Sequence, residues 1–135
     1  MSYSLDEIKG MEAAHAEALR AQGVTNSEVL LERAKTPRDR KALADATGID
    51  GALILEFANR CDLMRVKGVG RQYADLLEET GVDTVPELAQ RNAGNLAKAM
   101  AELNDAKKLV SVVPTEAQVT GWVTQAKDLG RMLEY

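Results

Sequence analysis

The chain has 135 residues, of which 45% are hydrophobic and 28% are charged, a composition typical of one globular domain large enough to bury a core. Three prolines leave little room for a long disordered segment, and a single cysteine excludes an internal disulfide. The formal net charge of -4 argues against a protein whose whole surface binds nucleic acid, because phosphate contacts are made mostly by lysine and arginine.

Helix start and stop signals divide the first half of the chain into helices. Ser4 with Glu7 three residues later is a capping-box pattern and predicts a short first helix. A hairpin at 9–12 follows, and then a longer helix to Gln22, where Gly23 can take the left-handed conformation that closes a helix. The next helix is predicted to start at Thr25 with Glu28. A third helix runs from Thr36 before Pro37 to Gly48, and a fourth from Asp50 to about Arg60.

The second half repeats this scheme. A turn at 62–65 leads to a second hairpin and to a helix from Gly70 to Thr80, which Gly81 closes. A helix is then predicted to start at a cap formed by Thr84 with Glu87, and another helix, around Asn95 to Leu103, follows Asn92. A loop with Lys107 and Lys108 comes next. The last helix is capped by Thr115 with Gln118, and one of its faces carries Val119, Val123, Ala126 and Leu129. Gly121 before Trp122 predicts close packing of that helix against a neighbour. No segment shows convincing strand alternation, and only 109–113 is ambiguous.

An internal repeat explains the similarity of the halves. Ile8-Lys9-Gly10-Met11 matches Val66-Lys67-Gly68-Val69 at an offset of 58 residues, and Gly23 falls on Gly81 at the same offset. Near the ends of the halves the offset is 66, so we place an insertion in the second copy, at the loop with Lys107 and Lys108. We therefore predict an all-α fold of two tandem helix-hairpin-helix repeats, 1–62 with a degenerate hairpin and 63–135 with an intact one, packed as one compact helical domain.

The second hairpin carries the clearest chemistry. Its sequence, Val66-Lys67-Gly68-Val69-Gly70, fits the pattern apolar-x-Gly-apolar-Gly of the helix-hairpin-helix motif, and Ala74 follows four residues later. Gly68 can turn the chain at positive φ, and Gly70 leaves the start of the next helix open. Amides without partners at the positive end of a helix dipole bind phosphate. The candidate phosphate-binding residues are therefore Lys67, Gly68, Val69, Gly70 and Arg71.

The residues leave a plainer interpretation open. The same glycines can serve only as a tight connection between two helices, with Lys67 and Arg71 as ordinary solvated charges. In the first copy Glu12 replaces the second glycine, and a carboxylate there would repel an anion, so that hairpin is expected to be scaffold. Tyr73 and Trp122 are candidates for base stacking, but core volume is the favoured role because the chain has few aromatic residues.

A second basic stretch spans a loop and the start of a helix. Its members are Arg33, Lys35, Arg38, Arg40 and Lys41, and a solvated helix face is the favoured interpretation over a second phosphate site. The only histidine, His15, lies far in sequence from Cys61, so no metal site and no activated thiol is expected. Carboxylates such as Glu78 and Glu79 have no histidine or phosphate loop beside them, and we expect neither an enzyme nor a cofactor.

The location of the protein follows from what the sequence lacks. Its start has no basic and apolar regions of a secretion signal, and its longest apolar run, 52–55, is cut by Glu56, far short of the roughly 18 residues that a membrane span needs. We expect a cytoplasmic protein that does not insert into a membrane.

Several segments, spread over nearly the whole chain, resemble a known family. They are Thr36-Pro37-Arg38-Asp39-Arg40-Lys41, Ala46-Thr47-Gly48-Ile49, Asp62-Leu63-Met64-Arg65-Val66-Lys67-Gly68-Val69-Gly70, Tyr73-Ala74-Asp75-Leu76-Leu77, Gly81-Val82-Asp83-Thr84-Val85 and Glu87-Leu88-Ala89-Gln90-Arg91-Asn92. The chain resembles the small bacterial proteins classified as a domain of unknown function that carries tandem helix-hairpin-helix units. The resemblance implies the fold and a nucleic-acid contact through the hairpin, with no established reaction. The sequence departs from the hairpin pattern at Met11-Glu12, where Gly or Pro is commoner.

Two functional hypotheses follow from these residues. The leading one is a non-enzymatic helix-hairpin-helix module that binds DNA or RNA backbone weakly and without sequence preference through the second hairpin. The alternative is a protein-interaction or scaffold module that has lost nucleic-acid binding, as Glu12 and the acidic net charge suggest.

Overall fold

The computed structural model describes residues 2–135, and its secondary structure is helical. A short 3-10 helix, Leu5–Glu7, comes first. The α-helices are α1 (Ala13–Ala21), α2 (Ser27–Arg33), α3 (Pro37–Thr47), α4 (Gly51–Leu63), α5 (Arg71–Glu79), α6 (Val85–Ala89), α7 (Ala93–Lys107) and α8 (Glu116–Leu129). Within residues 2–135 no strand is present, and one isolated bridge joins Ser4 to Asn26. The predicted all-α class is confirmed.

Side-chain caps begin most of the helices. Thr36, Asp50 and Thr115 each accept a hydrogen bond from a backbone amide of the following first turn, as predicted. The predicted start of α2 at Thr25 is wrong by one residue, because Asn26 Oδ1 accepts from the amide of Val29 at 2.9 Å. The predicted capping box at the first helix is also wrong: Ser4 Oγ accepts from Asp6 at 3.3 Å, within a single 3-10 turn.

Two helices run further than the sequence predicts. α4 continues to Leu63, so the turn expected at 62–65 is confined to Met64 and Arg65. α7 extends over Ala93–Lys107 instead of 95–103, and Lys107 therefore lies in a helix rather than in a loop. The buried side chain of Asn104 accounts for the end of α7, since it accepts from the amide of Val110 at 2.9 Å and donates to its carbonyl at 3.0 Å.

The core is a single cluster of buried apolar side chains drawn from both halves of the chain. α4 packs against α2, α3 and α5, and α8 packs against α6 and α7. Val119, Val123 and Ala126 form the buried face of α8 as predicted, but Leu129 is 40% exposed. The expectation for Gly121 is wrong, because nothing lies within 4 Å of the position that its Cβ would take.

Buried ionic contacts join the two halves. Arg60 on α4 contacts Asp75 on α5 at 3.3 Å and also pairs with Glu78, while Lys9 reaches Asp75 at 2.7 Å. Burial disfavours the charged guanidinium, but the two carboxylates outweigh it and raise the pKa of Arg60. Asp62, fully buried, accepts from the amide of Val85 at 2.8 Å and so fixes α6 to the end of α4.

The lengths and polarities of these helices also bear on membranes. Taking residues 2–135 together, none of the helices combines the length and the apolar character required to cross a bilayer.

Candidate functional site

The second hairpin, residues 66–70, is anchored by its apolar side chains. Val66 and Val69 are fully buried, and the amide of Val69 donates to the carbonyl of Val66 at 3.0 Å to close a tight turn. Gly68 between them has φ +93°, the left-handed conformation that favours glycine. The two buried valines therefore hold the turn against the core, and Gly68 is exposed on its outer side.

Two residues of α8 hold the hairpin from the side. Gln125 accepts from the amide of Lys67 at 2.9 Å and donates from Nε2 to its carbonyl at 3.3 Å. Trp122 lies under Gly68, where an added Cβ would come within 3.1 Å of the indole Nε1. Sequence reasoning missed Gln125, because nothing in the pattern of α8 distinguishes it from an ordinary polar surface residue. Trp122 is 4% exposed, so its favoured role as core volume is confirmed.

The hairpin leads into α5, which begins without a side-chain cap. Gly70 occupies the N-cap position at φ -94°, and its lack of a side chain leaves no group to accept from the first turn. Within residues 2–135, no acceptor bonds to the amides of Arg71, Gln72 and Tyr73. At the start of α2, α3, α4, α7 and α8 a side-chain oxygen accepts at least one such amide. The start of α5 therefore presents free donors at the positive end of a helix dipole.

A groove of about 580 Å³ opens beside these amides. Its walls are formed by the hairpin, the first turn of α5, the N-terminal segment with Tyr3 and Glu7, and the loop after α7. The ring of Tyr3 lies 3.9 Å from the position that a Cβ on Gly70 would take. Tyr73 donates from its hydroxyl to the carbonyl of Val112 at 2.8 Å, and its ring packs against Trp122 with the centroids 5.2 Å apart. The remaining lining residues are Glu7, Gly68, Arg71, Gln72 and Ser111.

Three exposed charged residues lie at or beside the groove, two cations and one carboxylate. Lys67 and Arg71 are exposed, and neither has an ion-pair partner within residues 2–135. Glu7, also exposed, is the one carboxylate among the residues that line the groove. Of the residues predicted to act together, Gly68, Gly70 and Arg71 form one edge of the groove. Lys67 is exposed beside that edge, whereas Val69 is buried and its amide is bonded to Val66. The sequence offered no signal for Tyr3, Glu7, Ser111 or Val112, which the fold brings to that edge from two other segments.

The first hairpin has the same turn and different chemistry. Gly10 has φ +86°, but the N-cap position of α1 is taken by Glu12, whose amide donates to His15 Nδ1 at 3.2 Å. Lys9 is bound to Asp75 at 2.7 Å. A carboxylate stands where the second hairpin has free space, and the lysine is already paired.

The second basic stretch does not form a single charged surface. Arg40 is buried, and its guanidinium donates to the carbonyls of Ala34, Lys35 and Glu134 at 2.9, 3.2 and 2.7 Å. Its neighbours are engaged too: Arg33 with the carbonyl of Gln22, Lys35 with Glu32, and Lys41 with Asp45. Arg38 is exposed, with no hydrogen-bond or ion-pair partner within residues 2–135. Arg40 thus fastens the C-terminal segment to α3.

The reactive side chains singled out by sequence lie apart from the groove. Cys61 is buried, and burial, with a smaller effect from Asp62, raises the pKa of its thiol and disfavours the nucleophilic thiolate. His15 packs against Phe57 with the ring centroids 5.7 Å apart. Glu78 and Glu79 pair with Arg60 and Lys107. Over residues 2–135, no three His, Cys, Asp or Glu side chains are grouped so as to hold a metal ion.

Comparison with known proteins gives one family. A family described as Domain of unknown function (DUF4332) matches residues 9–129. The matched stretch includes the second hairpin and all of α1 to α8. No curated protein and no solved structure matches the chain.

Proposed function

The chain belongs to this family of domains of unknown function, and we propose, from the geometry of its second hairpin, that it is a non-enzymatic module that binds nucleic-acid backbone weakly and without sequence preference. One observation carries the proposal: the amides at the start of α5 are uncapped, and neither of the two exposed cations beside them in the chain, Lys67 and Arg71, has an ion-pair partner within residues 2–135. Backbone amides and cations bind phosphate oxygens irrespective of the attached base.

We also propose that the chain consists of two tandem helix-hairpin-helix repeats, 1–62 and 63–135, in a bacterial cytoplasmic protein. The helix bounds support the duplication, since α1 and α5 begin 58 residues apart and so do α2 and α6. Gly10 and Gly68 share a positive φ, as do Gly23 and Gly81. Under this proposal only the second repeat binds a ligand, because Glu12 and the Lys9–Asp75 pair disable the first.

The test is a fluorescence anisotropy titration with labelled oligonucleotides at low and at moderate salt. Binding should weaken as salt rises, because each phosphate contact releases condensed counterions. Lys67→Glu should lower the affinity and the steepness of its salt dependence. Lys98→Glu is the charge-matched control, since Lys98 is an exposed lysine on α7 that does not line the groove. It should leave binding nearly unchanged.

A second pair of variants, both at the N-cap residue Gly70, distinguishes the effect of a negative charge from the effect of side-chain size. A side chain at Gly70 is not strained, because φ is -94° and the nearest atom to its Cβ position is 3.9 Å away. Gly70→Ala should weaken binding slightly, whereas Gly70→Glu, which copies the residue of the first hairpin, should abolish it. The proposed function is refuted if the protein does not bind the oligonucleotides at low salt. It is also refuted if the double variant with Lys67→Glu and Gly70→Glu binds them as tightly as the unmodified protein.

The rival function is a protein-interaction or scaffold module. It is favoured by the net charge of -4 and by Glu12, which replaces the second glycine in the first hairpin. A pulldown after nuclease treatment discriminates the two. Recovery of one stoichiometric protein partner would support the rival function, and loss of all partners with the nuclease would support nucleic-acid binding.

A further inference from the structure

The groove beside the second hairpin is larger than a backbone phosphate requires. We infer that it receives one unstacked base, so that the protein prefers single-stranded nucleic acid to continuous duplex. This inference rests on the proposed function and specifies the form of nucleic acid bound. It draws on parts of the molecule outside the hairpin motif, namely Tyr3, the loop with Ser111 and Val112, and the indole of Trp122.

The size and lining of the groove fit a base. Its volume of about 580 Å³ falls within the roughly 300–1,000 Å³ of pockets that hold small organic ligands. Tyr3 and Tyr73 supply aromatic surface, Val112 supplies apolar surface, and Ser111 supplies a hydroxyl. Aromatic side chains in such grooves bind bases of any sequence through their π-faces. The bases of an intact duplex remain in the stack and do not reach such a groove.

The indole N–H of Trp122 lies next to the hairpin, against Gly68. Trp122 is 4% exposed, and its Nε1 has no hydrogen-bond acceptor within residues 2–135. Gly68 lines the groove, and a Cβ at its position would be 3.1 Å from Nε1, although Trp122 itself is not a lining residue. A ligand oxygen at the hairpin would supply the acceptor, and this observation is independent of the free amides of α5.

The charges in the groove orient a nucleotide. Arg71 and Lys67 attract the phosphate to the hairpin side, next to the amides of α5, while Glu7 repels it from the other wall. The base is then directed towards Tyr3 and the loop at Ser111. Glu7→Gln should therefore strengthen the binding of both single strands and duplex, because it removes the one carboxylate of the lining.

The experiment compares three probes of equal length: a thymidine single strand, the matching duplex, and a deoxyribose-phosphate strand that lacks bases. Trp122 is the only tryptophan, and its emission reports ligand binding at the hairpin directly. We expect the thymidine strand to bind about tenfold more tightly than the base-free strand, the size of one base–aromatic contact. The duplex should bind about as weakly as the base-free strand.

A pair of tyrosine variants assigns the effect to the groove. Tyr3→Leu should weaken thymidine-strand binding about tenfold and leave duplex binding unchanged. Tyr135→Leu is the matched control, since Tyr135 lies outside the groove and packs against Arg40 and Arg131. It should change neither affinity. Circular dichroism verifies the folding of both variants, and the base-free strand tests the inference on the unmodified protein if either variant unfolds.

The outcomes separate the two proposals. Equal binding of all three probes, still weakened by Lys67→Glu, overturns the base-binding groove and leaves backbone binding in place. The same conclusion follows if Tyr3→Leu weakens duplex and single-strand binding equally. Failure of every probe to bind at low salt overturns both proposals.

Discussion

Gly10 and Gly68 adopt the same left-handed conformation in the two hairpins, but they have different neighbours. Substitution by alanine imposes about 1–2 kcal/mol of backbone strain at either position. At Gly68 the new Cβ would also press on the indole Nε1 of Trp122 at 3.1 Å, whereas at Gly10 it would make an ordinary contact of 3.6 Å with Phe57. Gly68→Ala should therefore lower the free energy of unfolding by more than Gly10→Ala in urea titrations. Equal losses would contradict this packing.

Asp83 provides a pH-dependent prediction. Burial raises the pKa of its carboxyl, and the charges of Glu87 and Glu78 raise it further. Because the folded-state pKa lies above the unfolded value of about 3.9, the native state binds more protons, and stability falls as the pH rises through the folded-state pKa. Asp83→Asn should stabilise the protein at pH 7 by about 0.5 kcal/mol or less, with the gain vanishing towards pH 4. Urea unfolding at both pH values measures it, and a gain that persists at pH 4 would rule out this cause.

Residue types predicted the hairpin better than its surroundings. Gly68 and Gly70 were identified from the motif because only glycine satisfies a positive φ and an open N-cap at that spacing. Gln125 and Tyr3 were not identified, since they meet the hairpin from elements about 60 residues away in the chain. Contacts of that kind depend on tertiary packing, and a single sequence carries no local pattern for them.

At the scale of helices, the starts were predicted more accurately than the ends. Thr36, Asp50 and Thr115 cap their helices through side-chain oxygens, a local interaction visible within four residues of sequence. The ends of α4 and α7 were predicted too early because tertiary contacts extend them. Asp62 is held inside α4 by its bond to the amide of Val85, and Asn104 fixes the loop after α7.

Gly121 lies in the middle of α8 and has no structural need to be glycine. Its backbone is helical, the residue is exposed, and nothing lies within 4 Å of its Cβ position. Gly121→Ala should stabilise the protein by about 0.5–1 kcal/mol, because glycine loses more backbone entropy on entering a helix. Thermal unfolding monitored by circular dichroism measures the gain. Gly94→Ala is the control, since its Cβ would meet Glu116 Oε1 at 2.7 Å, and its gain should be smaller.

At the scale of the whole molecule, polar contacts join the two halves in addition to the shared apolar core. Arg60 in the first half pairs with Asp75 and Glu78 in the second. Arg40 on α3 donates to the carbonyl of Glu134, and the amide of Glu134 returns a bond to Lys35 at 2.8 Å. The repeat pattern predicted two similar units but not these links, because they join residues that differ between the two halves.

These links predict that the halves unfold together. In urea, the emission of Trp122, which reports the second half, and the far-UV ellipticity of all helices should give one transition with the same midpoint. Arg60→Leu should lower the free energy of unfolding by about 2 kcal/mol, because Asp75 and Glu78 lose their guanidinium partner and Asp75 keeps only Lys9.

Arg60 lies on α4 and Trp122 on α8, so a shift of both probes by the same amount in Arg60→Leu demonstrates coupling between the halves. Lys41→Leu is the matched control, since the Lys41–Asp45 pair lies within α3 and is exposed, and it should shift neither midpoint measurably. If Arg60→Leu shifted the midpoint of the ellipticity but not that of the Trp122 emission, the second half would be folding by itself. In that case the first hairpin and its paired Lys9 would contribute nothing to the stability of the second half.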